Sequence, residues 1–199
     1  MRLAFVALVI VVLVGCEGSV PVQQVADRDS AWRTRQAALA RLTHWTAVGR
    51  IGIRTPDDAW SASIRWNQQG DAYDIRLSGP LGQGVMQVRG GPDRVELRTA
   101  DRKVHVARNV DQLLRARTGF KVPLSVLRYW IIGTAGPTTP VDALVLDPGG
   151  RLQQLRQAGW TLDVARYGGP EALTLPTKLE ASTEGITARI VVSRWFISS

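Results

Sequence analysis

The chain has 199 residues, a formal net charge of +8, one cysteine and two histidines. A single cysteine excludes an internal disulfide framework and a multi-cysteine metal site, and the length fits one domain. The basic balance admits acidic proteins, anionic lipid headgroups and nucleic acid as partners, but no arginine cluster is interleaved with aromatic residues, so nucleic acid is not expected.

Residues 1–16 resemble the signal segment of a bacterial lipoprotein. Arg2 precedes an apolar run that ends just before Cys16, and the polar Glu17 follows at once. The run is shorter than the about 20 apolar residues that span a bilayer. We therefore predict that residues 1–15 are a removed signal peptide and that Cys16 is lipidated. A buried cysteine and an uncleaved anchor are the alternatives.

A polar segment and one folded domain follow the signal segment. Residues 16–29 are predicted to be the lipidated N-terminus and a flexible tether, and residues 30–199 a single domain. Asp29 or Ser30 is predicted to cap a helix that ends near Leu42 and buries one apolar stripe.

From Trp45 onward the apolar residues repeat with a period of two, which is typical of strands with one buried face. Residues 60–66 and 73–77 alternate in this way on either side of a turn at 69–71, and they predict a hairpin. Further strands are predicted at 85–89, 94–99, 104–107, 152–157, 160–167, 178–183 and 186–196. Many short strands at this spacing indicate an antiparallel barrel or sandwich.

The helical period returns only in the middle of the chain. Asn109 or Asp111 is predicted to open a short helix that ends near Gly119. A second short helix is predicted over residues 124–132, ended by Gly133. It is apolar on nearly every side, which suits a helix lying on a sheet or across a cavity.

Several of these segments occur in an order that resembles the LolB family of outer-membrane lipoproteins. They are the strand from Trp60 to Trp66 with its turn and tyrosine strand, Gly79-Pro80-Leu81-Gly82, Val122-Pro123-Leu124, Trp130-Ile131-Ile132-Gly133, Gln157-Ala158-Gly159-Trp160 and the last strand with Trp195. The resemblance covers essentially the whole chain. It implies a mainly β fold with α-helices: an unclosed antiparallel β-barrel of about ten to eleven strands, with a lid of short helices enclosing a hydrophobic cavity.

The resemblance further implies an outer-membrane lipoprotein that accepts lipoproteins from the periplasmic carrier LolA. It would insert them into the inner leaflet of the outer membrane without ATP. The implied partners are a LolA-like carrier, the acyl chains of cargo lipoproteins and outer-membrane phospholipid, with the protein acting as a monomer and without a cofactor. Glu17 leaves inner-membrane retention open, because an acidic residue after the lipidated cysteine can signal it.

The acyl-chain cavity is expected to be lined by apolar side chains of the strands and of the second short helix. They are Trp60, Ile64, Trp66, Tyr73, Ile75, Leu77, Leu127, Trp130, Ile131, Trp160, Leu162 and Val164. An ordinary filled core is the alternative, because an apolar stripe does not show whether the space beside it is empty.

Pro80, Leu81 and Gly82 form the membrane-insertion loop that the resemblance implies. A polar turn is expected between two strands, yet here a leucine stands between a proline and a glycine. Burying Leu81 in a bilayer would contribute about 1.5 to 3 kcal/mol, enough to bias docking but not to anchor the protein. The alternative is an ordinary loop leucine folded back on the barrel.

Catalysis and metal binding are not expected. His44 and His105 are far apart and lack carboxylates at metal-ligand spacing, and no serine lies in a nucleophile elbow. The remaining alternative to a transfer factor is a structural or ligand-storing outer-membrane lipoprotein with a lipocalin-like barrel. A transfer factor is expected to take cargo from a loaded carrier, whereas a structural or ligand-storing lipoprotein is expected to leave it there.

Overall fold

The computed structural model describes residues 22–79, 85–119, 121–168 and 173–198. Within these ranges the chain forms three helices and eleven strands. The helices are α1 (Val22–Ala40), α2 (Val110–Thr118) and α3 (Leu124–Trp130). The strands are β1 (His44–Arg54), β2 (Ala59–Gln69), β3 (Ala72–Ser78), β4 (Met86–Gly90), β5 (Val95–Arg98), β6 (Val104–Ala107), β7 (Val141–Leu146), β8 (Leu152–Gln157), β9 (Trp160–Gly168), β10 (Leu175–Thr183) and β11 (Ile186–Ile197).

All of these strands belong to one antiparallel sheet with the order β6-β5-β4-β3-β2-β1-β11-β10-β9-β8-β7. Strands that follow each other in the chain pair, except β6 and β7, and β1 also pairs with β11, which joins the first and last strands. The edge strands are β6 and β7, and helices α2 and α3 lie in the connection between them. The sheet is therefore unclosed, and the predicted mainly β architecture is confirmed.

The pairing of β1 with β11 contains one irregularity, between Val48 and Gly49. A Cβ atom at Gly49 would overlap the carbonyl oxygen of Val191 on the partner strand. A glycine is therefore required at this position because no larger residue permits the two backbones to approach so closely.

The core lies on one face of the sheet, as the period of two predicts. In β2, Ala62, Ile64 and Trp66 are buried while Ser63 and Arg65 between them are exposed. The buried residues of β9 alternate in the same way.

Three tryptophans from different strands meet on the core side of the sheet. The ring of Trp45 lies 5.4 Å from Trp66 and 5.4 Å from Trp195, with tilted and edge-on geometry respectively. These aromatic contacts join β1, β2 and β11 around the junction of the chain's two ends.

Helix α1 begins at Val22, so the predicted start at Asp29 or Ser30 was wrong. Part of the segment that was assigned to the tether is thus helical. The buried stripe was predicted correctly, since Trp32 and Leu39 are both buried on one side of the helix.

The early start of α1 accompanies a close contact with the turn between β7 and β8. Gly150 in this turn has a left-handed backbone with φ of 72°. A Cβ atom there would come within 2.7 Å of the Ala31 side chain and 2.9 Å of the Arg28 carbonyl oxygen. The turn therefore supports residues of α1 that lie N-terminal to the predicted cap.

The two later helices form close to their predicted positions. Asn109 caps α2, since its side-chain oxygen accepts a hydrogen bond of 2.9 Å from the Gln112 backbone N–H, and the helix ends at Gly119. Helix α3 ends at Trp130, two residues before the predicted end, and Ile132 lies in the following turn.

Strand β7 was missed by the sequence analysis. Its pairing with β8 is irregular at two places, between Val141 and Ala143 and between Val145 and Leu146. Each irregularity interrupts the alternation on which strand prediction depends. Strand β1 forms where the period of two was predicted to begin, although no bounds were predicted for it. The remaining strands form within a few residues of their predicted bounds, and β10 begins earlier than predicted, at Leu175.

Candidate functional site

Helix α3 and the segment 131–140 cover the apolar side of the sheet. Gln157 of β8 is completely buried and fastens this cover. Its side-chain oxygen accepts hydrogen bonds from the Trp130 indole N–H (2.8 Å) and the Gly136 N–H (2.9 Å). Its amide nitrogen donates to the carbonyl oxygens of Gly136 (2.8 Å) and Thr139 (2.6 Å). All of its hydrogen-bonding capacity is therefore used within the protein.

A cavity of about 600 Å³ lies between the C-terminal end of α1, helix α3 and the adjoining ends of β1 and β2. We call it the mouth cavity. Its apolar lining includes Leu39, Leu42, Trp45, Tyr129, Ile132 and Val141. Its size and lining are those of a site that holds an apolar small molecule or chain.

A second cavity, of about 370 Å³, lies on the other side of α3, and we call it the inner cavity. Trp66, Tyr73, Val95 and Leu124 are among its lining residues. Polar groups also reach it, among them the side chain of Arg128.

The two cavities share Asp71, Arg128 and Tyr129 in their linings. The Arg128 guanidinium donates hydrogen bonds to the Asp71 carboxylate (2.8 Å) and the Tyr129 hydroxyl (2.6 Å), and it lies 4.7 Å from the Tyr129 ring centre. Burial is the largest single effect and lowers the pKa of Arg128, but the hydrogen bonds and charge interactions with Asp71 and Tyr129 together outweigh it, so the pKa is raised. A charged arginine therefore stands between the mouth cavity and the inner cavity.

The predicted cavity residues are brought together by the fold. Eleven of the twelve belong to the hydrophobic core cluster or pack against it. Trp66 and Tyr73 line the inner cavity. Acyl-chain binding by these residues stays a prediction.

The exception is Trp60, of which 41% is exposed. It lies on the core-facing side of β2, but the pairing of β2 with β3 stops at Ser63 and Ser78. The side chain therefore extends past the end of the neighbouring strand.

Several residues of the mouth cavity were not among the predicted site residues. Leu39 and Leu42 come from α1 and its end, and their helical spacing showed only that they are buried. Arg128 carries no sequence signal, because a charged residue on a helix is usually exposed.

The predicted lipidation site Cys16 and the predicted insertion loop Pro80, Leu81 and Gly82 lie outside the described residues. Within the described ranges, every helix falls short of the length and apolar character needed to cross a bilayer. In the same ranges, His, Asp and Glu side chains do not gather in threes as metal ligands would.

Tyr73 carries a perturbed hydroxyl at the inner cavity. Burial raises the pKa of Tyr73 to about 12, and the nearby Asp111 carboxylate adds to the rise. Among the described residues the hydroxyl has no hydrogen-bond partner. The folded protein therefore holds the phenolic proton to a higher pH than the unfolded chain does.

Tyr73→Phe is expected to leave stability at neutral pH almost unchanged and to reduce the loss of stability at alkaline pH. Unfolded tyrosine releases its proton near about pH 10, whereas folded Tyr73 retains it until about pH 12. The contribution of Tyr73 to the free energy of unfolding is thus complete below about pH 10. It is lost as the pH rises through the folded pKa of about 12. Urea unfolding of both proteins at neutral and alkaline pH measures the difference, and an equal alkaline loss in the two would contradict the prediction.

Comparison with known proteins identifies relatives over nearly the whole chain. The family model described as "Outer membrane lipoprotein LolB" matches residues 43–195. Outer-membrane lipoprotein LolB of Nitrosococcus oceani is 36% identical over 197 residues, covering 98% of this chain and 96% of that protein. The LolB of Alkalilimnicola ehrlichii is 36% identical over 197 residues (99% and 98% covered), and that of Pseudomonas aeruginosa is 32% identical over 197 residues (98% and 96%).

Two solved structures share the fold at low sequence identity. A putative outer membrane lipoprotein-sorting protein domain from Vibrio parahaemolyticus aligns with a TM-score of 0.52 and 8% identity, covering 88% of this chain and 94% of that one. A LolA superfamily protein from Nitrosomonas europaea aligns with a TM-score of 0.51 and 8% identity, covering 91% and 95%. These likenesses concern the fold alone.

Proposed function

The chain belongs to the LolB family of outer-membrane lipoproteins, and on that premise we propose that it receives the acyl chains of other lipoproteins in its apolar interior and delivers them to the outer membrane. The observation that carries the proposal is the mouth cavity of about 600 Å³, whose wall is built jointly by the open sheet and by helices α1 and α3. Such a wall can widen without breaking sheet hydrogen bonds, because residues of α1, of α3 and of the segment after α3 form part of it.

The energy of lipid exposure explains why an apolar interior is needed. Three acyl chains hold about 45 methylenes, and at roughly 0.8 kcal/mol each their exposure to water costs on the order of 30 kcal/mol. If a methylene occupies about as much space as a water molecule, roughly 30 Å³, three chains need more than about 1,000 Å³. The mouth cavity and the inner cavity are each smaller than this volume. Cargo binding therefore requires the cover to move away from the sheet and the hydrogen bond between Arg128 and Asp71 to break.

The remaining parts of the proposal concern partners and anchoring. A LolA-like periplasmic carrier delivers the cargo, and the handover proceeds without ATP because the cargo moves to the site with the higher affinity. Lipid on Cys16 holds the protein, as a monomer, at the periplasmic face of the outer membrane. No catalytic step and no cofactor is part of this function.

Transfer of labelled cargo tests the proposal directly. The acylated protein is reconstituted into vesicles and mixed with a LolA-like carrier that is loaded with a radiolabelled lipoprotein. The label is expected to leave the carrier and to appear in the vesicle membrane. If the label stays on the carrier, the transfer function is wrong and a ligand-storing lipoprotein is the better description.

Leu81→Glu is expected to leave acceptance of cargo intact and to reduce delivery to the membrane by roughly tenfold or more, because insertion of Leu81 into lipid contributes about 1.5 to 3 kcal/mol. Acceptance is measured as cargo bound to the protein, and delivery as cargo in protein-free vesicles. Val106→Glu is a matched control, since Val106 is 52% exposed on strand β6. Failure of Leu81→Glu at acceptance would place Leu81 in the receiving surface instead.

A further inference from the structure

The solvent-facing side of the sheet carries two adjacent cross-strand rows that contain cations and no acidic residue. In the first row, Arg194 and Arg65 both lie opposite Val48, and Arg65 also lies opposite Arg76. This row continues through Gln87 to Arg98, which is ion-paired with Glu96 and is left out of the set defined below. In the second row, Arg50 lies opposite Ser63 on one side and Val191 on the other, and the row continues through Lys178 to Arg166. We call the six cations Arg50, Arg65, Arg76, Arg166, Lys178 and Arg194 the basic band.

The cations of the basic band are exposed and mostly unpaired. Arg76 lies 3.5 Å from the Asp74 carboxylate. The other five make no ion pair with any residue in the described part of the chain. Their positive charge is therefore available to an outside partner.

The rows that flank the basic band are arranged differently, with opposite charges next to each other. On one side the Arg89 guanidinium lies 3.0 Å from the Asp74 carboxylate. On the other side Arg189 and Glu180 are cross-strand partners and lie 2.6 Å apart. The lack of acidic residues is thus confined to the band.

Two of the pairs within the band place like charges directly opposite each other. Arg65 is the cross-strand partner of Arg76, and Lys178 is the partner of Arg166. Like charges at directly opposed positions destabilise a sheet. A flanking row also holds a like-charged pair, Glu180 opposite Asp163, but Arg189 lies beside Glu180 there. Within the band, Arg65, Arg166 and Lys178 have no acidic partner in the described part of the chain, so their repulsion is not offset within the fold.

We propose that the basic band binds the anionic phospholipid headgroups of the membrane to which the protein is attached. The proposed anchor Cys16 precedes the first described residue, Val22, by six positions, and six extended residues span at most about 20 Å. The N-terminal end of α1 is therefore held near the bilayer surface, and cations of the domain that reach this surface are attracted by anionic lipid. The inference rests on one part of the proposed function, namely that lipid on Cys16 attaches the protein to the membrane.

The chemistry of the band favours a lipid surface over an acidic protein. Apart from Gln87, the uncharged residues in the two rows are small or aliphatic. Neither row contains an aromatic side chain, and the exposed Phe196 ring lies beside the Arg194 end of the band, 5.7 Å from its guanidinium. Protein interfaces are typically centred on buried aromatic anchors. A broad set of flexible cations without such an anchor matches a surface of many equivalent headgroups.

Fluorescence quenching in vesicles tests the proposal. Ser63 lies between Arg50 and Ser78 in the second row, and a fluorophore on Ser63→Cys reports contact of the band with a headgroup-linked quencher. The acylated protein is reconstituted into vesicles of phosphatidylcholine with or without phosphatidylglycerol, and no carrier or cargo is added. Quenching is expected to be stronger in the anionic vesicles and to disappear at high salt, because screening weakens exposed charge contacts.

Two sets of substitutions distinguish an effect of the basic band from an effect of the protein's total net charge. The first set removes three cations of the band, through Arg50→Gln, Arg65→Gln and Arg194→Gln. It is expected to lower the association of the labelled sheet face with anionic vesicles by roughly fivefold for each charge removed. The control combination Arg89→Gln, Lys103→Gln and Arg189→Gln removes equal charge from cations outside the two rows that already lie beside Asp74, Asp101 and Glu180, and a much smaller change is expected.

Three results would overturn the inference. They are equal quenching in neutral and anionic vesicles, equal effects of the two combinations, and a protein with Arg50→Gln, Arg65→Gln and Arg194→Gln that keeps full quenching but loses the cargo uptake that the unsubstituted protein shows. The last result would assign the band to an acidic protein. The quenching readout needs no cargo, so failure of the transfer function alone would leave the outcome unaffected.

Discussion

Gly49→Ala is expected to destabilise the protein by about 3 kcal/mol or more, which is a large share of the stability of an ordinary domain. The new methyl group would overlap the Val191 carbonyl oxygen, and that atom belongs to the backbone of β11 rather than to a flexible side chain. Relief requires β1 and β11 to separate locally, and these strands join the two ends of the chain in the middle of the sheet. Urea unfolding followed by tryptophan fluorescence measures the loss.

Gly52→Ala is the matched control for this substitution. Gly52 lies on the same strand, and the nearest atom that its Cβ would meet is the Trp60 carbonyl oxygen at 3.9 Å, an ordinary contact. We expect a change within about 1 kcal/mol, of either sign, because alanine also restricts the unfolded chain. Similar losses for the two variants would show that general strand propensity, rather than the close approach at Gly49, sets the effect.

Gln157→Leu is expected to cost about 3 kcal/mol and to loosen the cover of the cavities. Leucine has a similar size but leaves the Trp130 indole N–H, the Gly136 backbone groups and the Thr139 carbonyl oxygen without this partner. Each buried polar group that loses its partner costs about 1 to 3 kcal/mol, and local opening to water limits the sum. Urea unfolding measures the loss, and amide hydrogen exchange over residues 131–140 measures the loosening.

Gln154→Leu on the same strand is the control. The Gln154 side chain makes one hydrogen bond, to Asp163 (2.8 Å), and it lies at the solvent-facing side of the sheet. Its replacement is expected to change stability by less than about 0.5 kcal/mol. If Gln157→Leu is equally mild, water or other protein groups replace the lost bonds and the side chain does not fasten the cover.

Loosening of the cover also has a functional consequence under the proposed mechanism. Acyl chains enter only when α3 and the following segment move away from the sheet, and Gln157 together with the Arg128–Asp71 pair opposes that movement. The cover is therefore held both by buried apolar side chains, among them Trp130 and Ile131, and by a small number of polar contacts.

Most strands were predictable because alternation is a local property. In β2 the buried Ala62, Ile64 and Trp66 are separated by single exposed residues, so the sequence displays the same period as the structure. Strand β7 was not predictable in this way, since two irregularities in its pairing with β8 disrupt the period.

The start of α1 shows how a distant contact changes a local expectation. The polar residues before Ser30 predict a tether, yet the helix extends back to Val22. The turn at Gly150 approaches the helix at Arg28 and Ala31, and these residues are more than a hundred positions away in the chain. Neither segment alone contains a signal for the contact.

By itself, the sequence determined the strand and helix content, the buried faces and the resemblance to the LolB family, because all of these depend on residue type and on spacing along the chain. The tertiary structure alone decided which polar groups meet Gln157, where Arg128 divides the cavities and which cations lie opposite each other in the basic band. Those contacts join residues from separate strands and helices, and their energies depend on register and distance rather than on local pattern.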